Sequence, residues 1–520
     1  MRLTPRLAHF VSLSRAAARG GSSSGTSKAA QAGLEPRPSA PFRGATPADR
    51  QSRFRGVSRG GPAAVAAALV LAGCSLAPTY QRPEAPVPST FPNTETPAAL
   101  QPLASTIAWQ DYFTDPRLVK LIDMALANNR DLRVAVLNIE QARAQFQIVR
   151  SAQFPAVNAS ASQSRQRPSL TGTGVSEVDQ VSVGITAWEI DFFGRIQSLK
   201  DAALAQYLAS EESRKAVQIS LVSAVATGWL AVLGDDEVLE ITRQTMLTRD
   251  ESLRLTRMRF ENGVASEIDY RFAESQAETA RAAHALQQRL RMQDENALAL
   301  LIGAPVPPDA TAGSAEGLQA LAPMQDLPAG LPSDLLTERP DIRAAEQQLI
   351  AANANIGAAR AAFFPRVTLT TSIGTASNDI SGLFDSGSKA WTFSPQITLP
   401  IFDAGRNQAG LDSARASRDI AVAQYEKAIQ TAFREVADAL AGRATYDEEL
   451  RALIAQSKAE EVRFNLSDLR YRNGVASGLD LLDAQRSLFT AQLATALTRQ
   501  QRLQNQVALF KVLGGGWNTR

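Results

Sequence analysis

The chain has 520 residues, and its 44% hydrophobic but only 6% aromatic content favours long Ala-rich helices over an aromatic-rich globular core. Residues 1–73 hold 11 of the 54 Lys and Arg but only Glu35 and Asp49 of the 52 acidic residues, so the formal charge of +2 hides a remainder with 43 basic and 50 acidic residues. That balance gives no reason to expect a nucleic-acid partner, and a lone cysteine, Cys74, excludes an internal disulfide framework.

Residues 1–52 are rich in Ser, Arg, Ala, Gly and Pro without apolar periodicity; they are expected to be disordered or to precede the true translation start, and a start near Val57 gives a signal of ordinary length. Arg53, Arg55 and Arg59 then lead into "GPAAVAAALVLAGC", Gly61 to Cys74. This apolar run is too short to span a bilayer and ends in small residues, so it reads as a secretory signal closing the region 1–73. Leu71-Ala72-Gly73-Cys74 looks like a bacterial lipobox, in which the cysteine becomes the first mature residue and carries lipid. Ser75 follows it rather than Asp, which among Gram-negative lipoproteins favours the outer membrane. A buried cysteine in an apolar segment is the ordinary alternative, and the basic flank argues against it. Residues 74–104 then form an extended N-terminal segment.

Beyond residue 104 one order of segments occurs twice. "RDLRVAVLNIEQARAQFQIVRSAQFPAV" from Arg130 aligns without a gap with "PDIRAAEQQLIAANANIGAARAAFFPRV" from Pro340, bringing Asp131 onto Asp341 and Phe154-Pro155 onto Phe364-Pro365. Gly194-Arg195 matches Gly405-Arg406, and Gly303 matches Gly514. The copies are assigned to 105–303 and 333–515, joined by a Pro-rich linker at 304–332 and followed by a tail at 516–520. Each opens with a helix that Phe-Pro terminates, because proline drives the preceding residue out of the helical region.

Two strand-like segments follow in each copy. Val181, Val183, Ile185 and Ala187 alternate with polar or small residues, as do Trp391, Phe393, Pro395, Ile397, Leu399 and Ile401 with polar ones. A period of two gives one apolar and one polar face, and segments of about 10 residues are long enough to cross a membrane as tilted strands. Pro395 and Pro400 deny ladder hydrogen bonds, so local bulging is expected there. Four strands per chain cannot close a sheet in lipid, where unmet edge groups cost several kcal/mol each, so other copies are required. Two copies give a side-chain-filled barrel of eight strands and three give an open lumen; the pattern alone leaves the number open.

After Gly-Arg each copy becomes helical and proline-free as far as Asn262 and Asn473, a span of about 100 Å at 1.5 Å per residue. The stretch Asn-Gly-Val-Ala-Ser then occurs at Asn262 and again at Asn473. Asn-Gly stops a helix, and Ser266 with Asp269, like Ser477 with Asp480, fits a capping box that starts the next. Each copy therefore ends in a tight antiparallel helical hairpin.

The stretches "LAGCSLAPTYQRP", "WEIDFFGR", "GLPSDLLTERPDIRAAEQQLIAANANIGAARAAFFP", "PIFDAGR" and "RYRNGVASGLDLLDAQRSL" together resemble the outer membrane factor family, the TolC-like outer-membrane efflux proteins, in its lipoprotein branch. The resemblance covers nearly all of 74–515. It implies a mainly α fold with membrane β: long helical hairpins and four transmembrane strands per duplicated chain, with a homotrimer forming a β-barrel on an α-helical barrel. It implies a lipid-anchored exit duct in the cell outer membrane, fed by an inner-membrane pump through a periplasmic adaptor. The drug-efflux branch is the closer match; protein export by a type I secretion system is the alternative, and a coiled-coil spacer lipoprotein is another that leaves the strands unexplained.

In that family acidic residues after the second turn form a constriction, matching Asp480 and Asp483 here, and a tyrosine before the turn, matching Tyr471, holds the closed state with an acidic partner matching Asp269. The family's best-known member has an arginine within that turn where this chain has Ala476, so the closed state here leans on apolar contacts such as Leu479 and Leu482. The local alternative is that Asp269 and Asp480 only cap helices and Tyr471 only packs. No enzyme is expected: beyond residue 73 the one histidine, His284, lies in a helical Ala/Arg/Gln context, and no nucleophile pair, phosphate loop, metal cluster or cofactor motif appears.

Overall fold

The computed structural model describes residues 75–92, 104–167, 174–311, 317–319, 321, 324–327 and 332–518, all within one compact unit; Cys74 lies outside the described residues. The principal elements are α1 (Pro116–Asn128), α2 (Arg130–Ser151), β1 (Val157–Gln166), β2 (Ser176–Ile190), α3 (Arg195–Glu261), α4 (Glu267–Ile302), α5 (Pro340–Ala361), β3 (Arg366–Ser377), β4 (Lys389–Thr398), α6 (Arg406–Arg472) and α7 (Gly478–Val512). The duplicated fold is therefore mainly helical, with four strands.

The strands form one antiparallel sheet in the order β1-β2-β3-β4. Its register places Ala159, Val183, Ile373 and Trp391 in one row across all four strands, and Ala161, Val181, Thr375 and Lys389 in another. Because directly paired residues share a face, Val157, Ile185, Thr371 and Phe393 join the same apolar face. The opposite face carries Ser160, Ser182, Gly374 and Ala390 in one row and Asn158, Gly184, Ser372 and Thr392 in the next. Much of this apolar face is uncovered: Ile373 is 71% and Trp391 77% exposed.

The expected bulging at Pro395 and Pro400 does not occur. β4 pairs through Pro395 without a shift and ends before Pro400. Within the single chain β4 is an edge strand with a ladder on one side only, where a proline is tolerated. The irregularity lies in β2, between Ile185 and Trp188, where Ala187 takes a φ of 50° and its N–H donates to Thr370 Oγ1 at 3.0 Å. Ala187 thus leaves the alternation expected of it.

Both strand-to-helix corners are built alike. Gly194 and Gly405 sit at φ 68° and 84°, a region open to glycine. A carboxylate two or three residues before each glycine receives N–H groups at the helix start: Asp191 from Arg195 and Gln197, Asp403 from Gly405 and Asn407. The long helices α3 and α6 each run 67 residues, about 100 Å. By length and composition α3 would pass as a membrane span, but its apolar stretch around Leu221–Leu233 lies in the core.

That core wraps the middle of the long helices. Trp229, Tyr425, Val436 and Phe510 are buried with Trp109, Tyr112 and Phe113, and Tyr112 stacks on Phe510 at 4.1 Å. The duplication is visible atom by atom: Asn129 Nδ2 donates to the Leu301 carbonyl, and its counterpart Arg339 donates through Nη1 to the Val512 carbonyl. Both bonds satisfy carbonyls at the end of a hairpin's return helix.

Candidate functional site: the hairpin tips

Both Asn-Gly-Val-Ala-Ser segments form the hairpin turns expected of them. Gly263 and Gly474 have φ of 71° and 75°, and Ser266 with Asp269, and Ser477 with Asp480, each make both bonds of a capping box. The tips lie at the far end of α3 and α6 from the sheet.

Of the four residues singled out at the tips, Tyr471 is the most enclosed, at 7% exposed. Its hydroxyl meets Thr256 Oγ1 of α3 at 3.3 Å, and the Arg259 guanidinium lies 4.8 Å from its ring centre. Together these join the end of α6 to α3, across the two hairpins. Asp269 borders the same cavity of about 190 Å³, but its carboxylate accepts from Ser266 Oγ and N at 2.7 and 3.2 Å rather than from Tyr471. Asp480 is likewise exposed and engaged with the Ser477 N–H.

Asp483, one turn beyond Asp480, is held differently. Its two carboxylate oxygens face Arg463 Nη2 of α6 at 2.5 Å and Arg486 Nη2 at 2.7 Å. The Arg463 hydrogen bond, with both guanidinium charges, holds its carboxyl below the usual range. Of the two leucines near the turn, Leu482 is buried and Leu479 exposed.

Thr256, Arg259 and Arg463 were not anticipated as partners, yet the duplication contains a signal for them. Tyr471 stands at the copy-one position of Phe260, which stacks instead on Tyr270 at 5.6 Å. Asp483 and Arg463 stand at the copy-one positions of Phe272 and Ser252, so both members of the ion pair depart from the repeat together.

Next to the tips, the seam between α3 and α7 stays polar. Gln485 donates to Ser252 Oγ at 2.9 Å, and higher up Arg499 pairs with Glu237. No group of three or more His, Cys, Asp or Glu suited to a metal occurs among the described residues.

A family model described as "Outer membrane efflux protein" matches residues 121–304 and 331–515. The chain is 46% identical over 460 residues to the solvent efflux pump outer membrane protein SrpC of Pseudomonas putida, covering 87% of this chain and 97% of that one. It is 46% identical to outer membrane protein OprJ of Pseudomonas aeruginosa, covering 88% and 96%. Among solved structures, the open state of the Neisseria gonorrhoeae MtrE outer membrane channel superposes with a TM-score of 0.77 at 43% identity, over 86% of this chain and 99% of that one. The chain belongs to the outer membrane efflux protein family, and is the outer-membrane channel component of an efflux pump rather than an enzyme.

Proposed function

We propose that three copies of this chain close one twelve-stranded barrel over a helical duct, that Cys74 carries a lipid anchor, and that the duct is a passive exit for small toxic compounds. An inner-membrane pump and a periplasmic adaptor supply the energy and the substrate. The observation that carries this reading is a set of interfaces from copy one to copy two that have no counterpart in the other direction. Within the chain, β2 pairs with β3, α5 packs against α3 as well as its own α6, and α7 packs against α3. Among the described residues the reciprocal partners are missing: β4 and β1 are edges, and α2 packs mainly on α3.

The side chains match that deficit. α5 buries eleven residues, whereas its counterpart α2 buries only Leu132 and leaves Val134, Val136, Leu137 and Ile148 exposed. A second copy supplying α6 beside α2, and β4 beside β1, repeats contacts the chain already makes with itself. Closure follows from the cost of open sheet edges in lipid, and the number three comes from the resemblance to trimeric channels.

The course of residues 75–92 supports the anchor. The Leu76 carbonyl accepts from Arg360, six residues before β3, while Tyr80 and Arg82 both bind Glu346 and Phe91 stacks on Phe433 at 5.1 Å. The segment therefore runs away from the sheet end of α5, with Ser75 and Leu76 at the end nearest the strands, a course that suits an anchor there. Several lipid chains in one assembly anchor firmly where one binds only marginally.

The tips are proposed as the gate, with Tyr471 joining the second hairpin to the first, Asp483 bracing the two arms of the second, and Asp269 and Asp480 adding carboxylates around the opening. Relatives are named for solvent, toluene and antibiotic efflux, and compounds of those kinds are the proposed cargo. Deletion of the gene should lower tolerance to toluene and to a panel of antibiotics, with recovery on complementation. Unchanged tolerance to the whole panel, together with lost secretion of a protein, would overturn the reading.

A further inference from the structure

Arg249 of α3 is only 5% exposed, between α4 and α7. A guanidinium this deep is costly unless an anion compensates it. Nη1 donates to the Gln276 carbonyl at 3.1 Å, but Nε is buried with no acceptor, and no carboxylate pairs with the group among the described residues. Burial alone accounts for a basicity below that of an ordinary arginine. The acids nearby are committed elsewhere: Asp250 and Glu278 to Arg281, and Asp483 to Arg463 and Arg486. The face of the Phe489 ring lies 6.0 Å from the guanidinium carbon.

Arg249 borders a cavity of about 330 Å³ enclosed by α3, α4 and α7, whose other walls include Phe489, Ala280 and Ala283. That is the lower end of the size range of small-molecule sites, about 300–1,000 Å³. The threonines around it offer no free proton: Thr245, Thr279 and Thr490 each donate to a carbonyl of their own helix. Arg486 also lines the cavity, but its charge is matched by Asp483. One uncompensated guanidinium suits a single carboxylate.

We propose that this cavity binds a small amphiphilic carboxylate, paired with the guanidinium of Arg249, its apolar body resting against Phe489, Ala280 and Ala283. The ligand bridges α3 of the first hairpin and α7 of the second. The proposal concerns binding alone and stands whether or not the tips act as a gate.

The test is calorimetric titration of the full-length detergent-solubilised protein with sodium benzoate, against sodium chloride at matched ionic strength. Wild type should show saturable benzoate binding and slower amide exchange around Arg249 and Phe489. Arg249→Lys, which keeps the charge and loses the fork, should weaken binding about tenfold, and Arg249→Met should abolish it. Ala283→Phe fills the cavity and leaves Arg249 in place; it should also abolish binding, and it decides the matter if the arginine variants fail to assemble. No saturable binding to wild type, or undiminished binding to Arg249→Met or Ala283→Phe, would overturn the proposal.

Discussion

At the scale of single residues, the tips combine one inter-helix hydroxyl contact with a carboxylate screened by two guanidiniums. The Tyr471 hydroxyl makes one bond, to Thr256, of a kind that contributes about 1 kcal/mol. Tyr471→Phe should therefore leave the fold intact and raise open time in single-channel recordings; wild-type traces would mean the hydroxyl only packs. Asp483 faces two guanidiniums, so Asp483→Ala removes a carboxylate and releases a positive charge. Cation selectivity should fall, and an unchanged reversal potential would remove Asp483 from the pathway. The lowered pKa of Asp483 keeps its pairing intact at and above the ordinary carboxylate value of about 3.9, and the pairing fails only as pH falls through the lower folded value. Asp235 behaves oppositely. Burial first, then the facing carboxylates of Asp294 and Asp236 against one hydrogen bond from Gln287, push it up to about 6, while Arg291 is engaged with Asp236. A raised carboxyl contributes stability below its unfolded value that is lost as pH rises from about 4 through about 6. Asp235→Asn should thus stabilise the protein at pH 7 by about 1 kcal/mol, after solvent screening of a half-buried group, and flatten the pH dependence of its thermal midpoint between about pH 4 and 6. A midpoint lowered at pH 7 would refute this. The acidic and aromatic tip positions were singled out through the family resemblance, beside the repeated turn. Their partners were not, because Thr256 and Arg463 reach them across a hairpin, and sequence distance says nothing of that contact.

At the scale of elements, what was legible was whatever short-range chemistry dictates. The Asn-Gly stops, the Ser-Asp capping boxes, the Phe-Pro helix ends and the unbroken 67-residue helices all follow from local rules. The bulge was misplaced because a proline's effect depends on whether its strand lies at an edge, which only the sheet order reveals. Glycines in the sheet carry a second hidden requirement. A Cβ on Gly374 would lie 2.1 Å from the Val181 carbonyl oxygen, and one on Gly184 would lie 2.2 Å from that of Thr371. These two positions hold β2 against β3, the join between the copies. Gly374→Ala should sharply reduce the amount of assembled protein recovered from the outer membrane. Gly410→Ala, in open space on α6, should be neutral or stabilise by up to about 1 kcal/mol. Equal recovery of the two variants would show that the β2–β3 approach tolerates a side chain.

At the scale of the whole molecule, the duplication converts one observed interface into a quantitative expectation for another. In the hairpins, Val157 pairs with Ile185 and Val367 with Ile397, so Ile397 of β4 takes the place of Ile185 in β2. Beyond the bulge, the Gly-Arg match puts Leu399 in the place of Trp188 and Ile401 in that of Ile190. Between the copies, Ile185 pairs with Thr371, Trp188 with Leu369 and Ile190 with Val367. Carried over to a neighbouring subunit, this sets Ile397 opposite Ala161, Leu399 opposite Ala159 and Ile401 opposite Val157. Every pair falls on the apolar face, as a lipid-facing seam requires, whereas a slip of one residue would turn β4's apolar side chains toward the polar face. A chain carrying both Leu399→Cys and Ala159→Cys should therefore cross-link under oxidation into a covalent trimer, since each subunit offers one cysteine to each neighbour in a closed ring. The pair Leu399→Cys with Ser160→Cys places the thiols on opposite faces and should stay monomeric on a denaturing gel. Dimers as the largest covalent product would refute a ring of three. Equal cross-linking of both pairs would refute the register, and with it the inference that the contact between subunits repeats the contact between the halves of one chain.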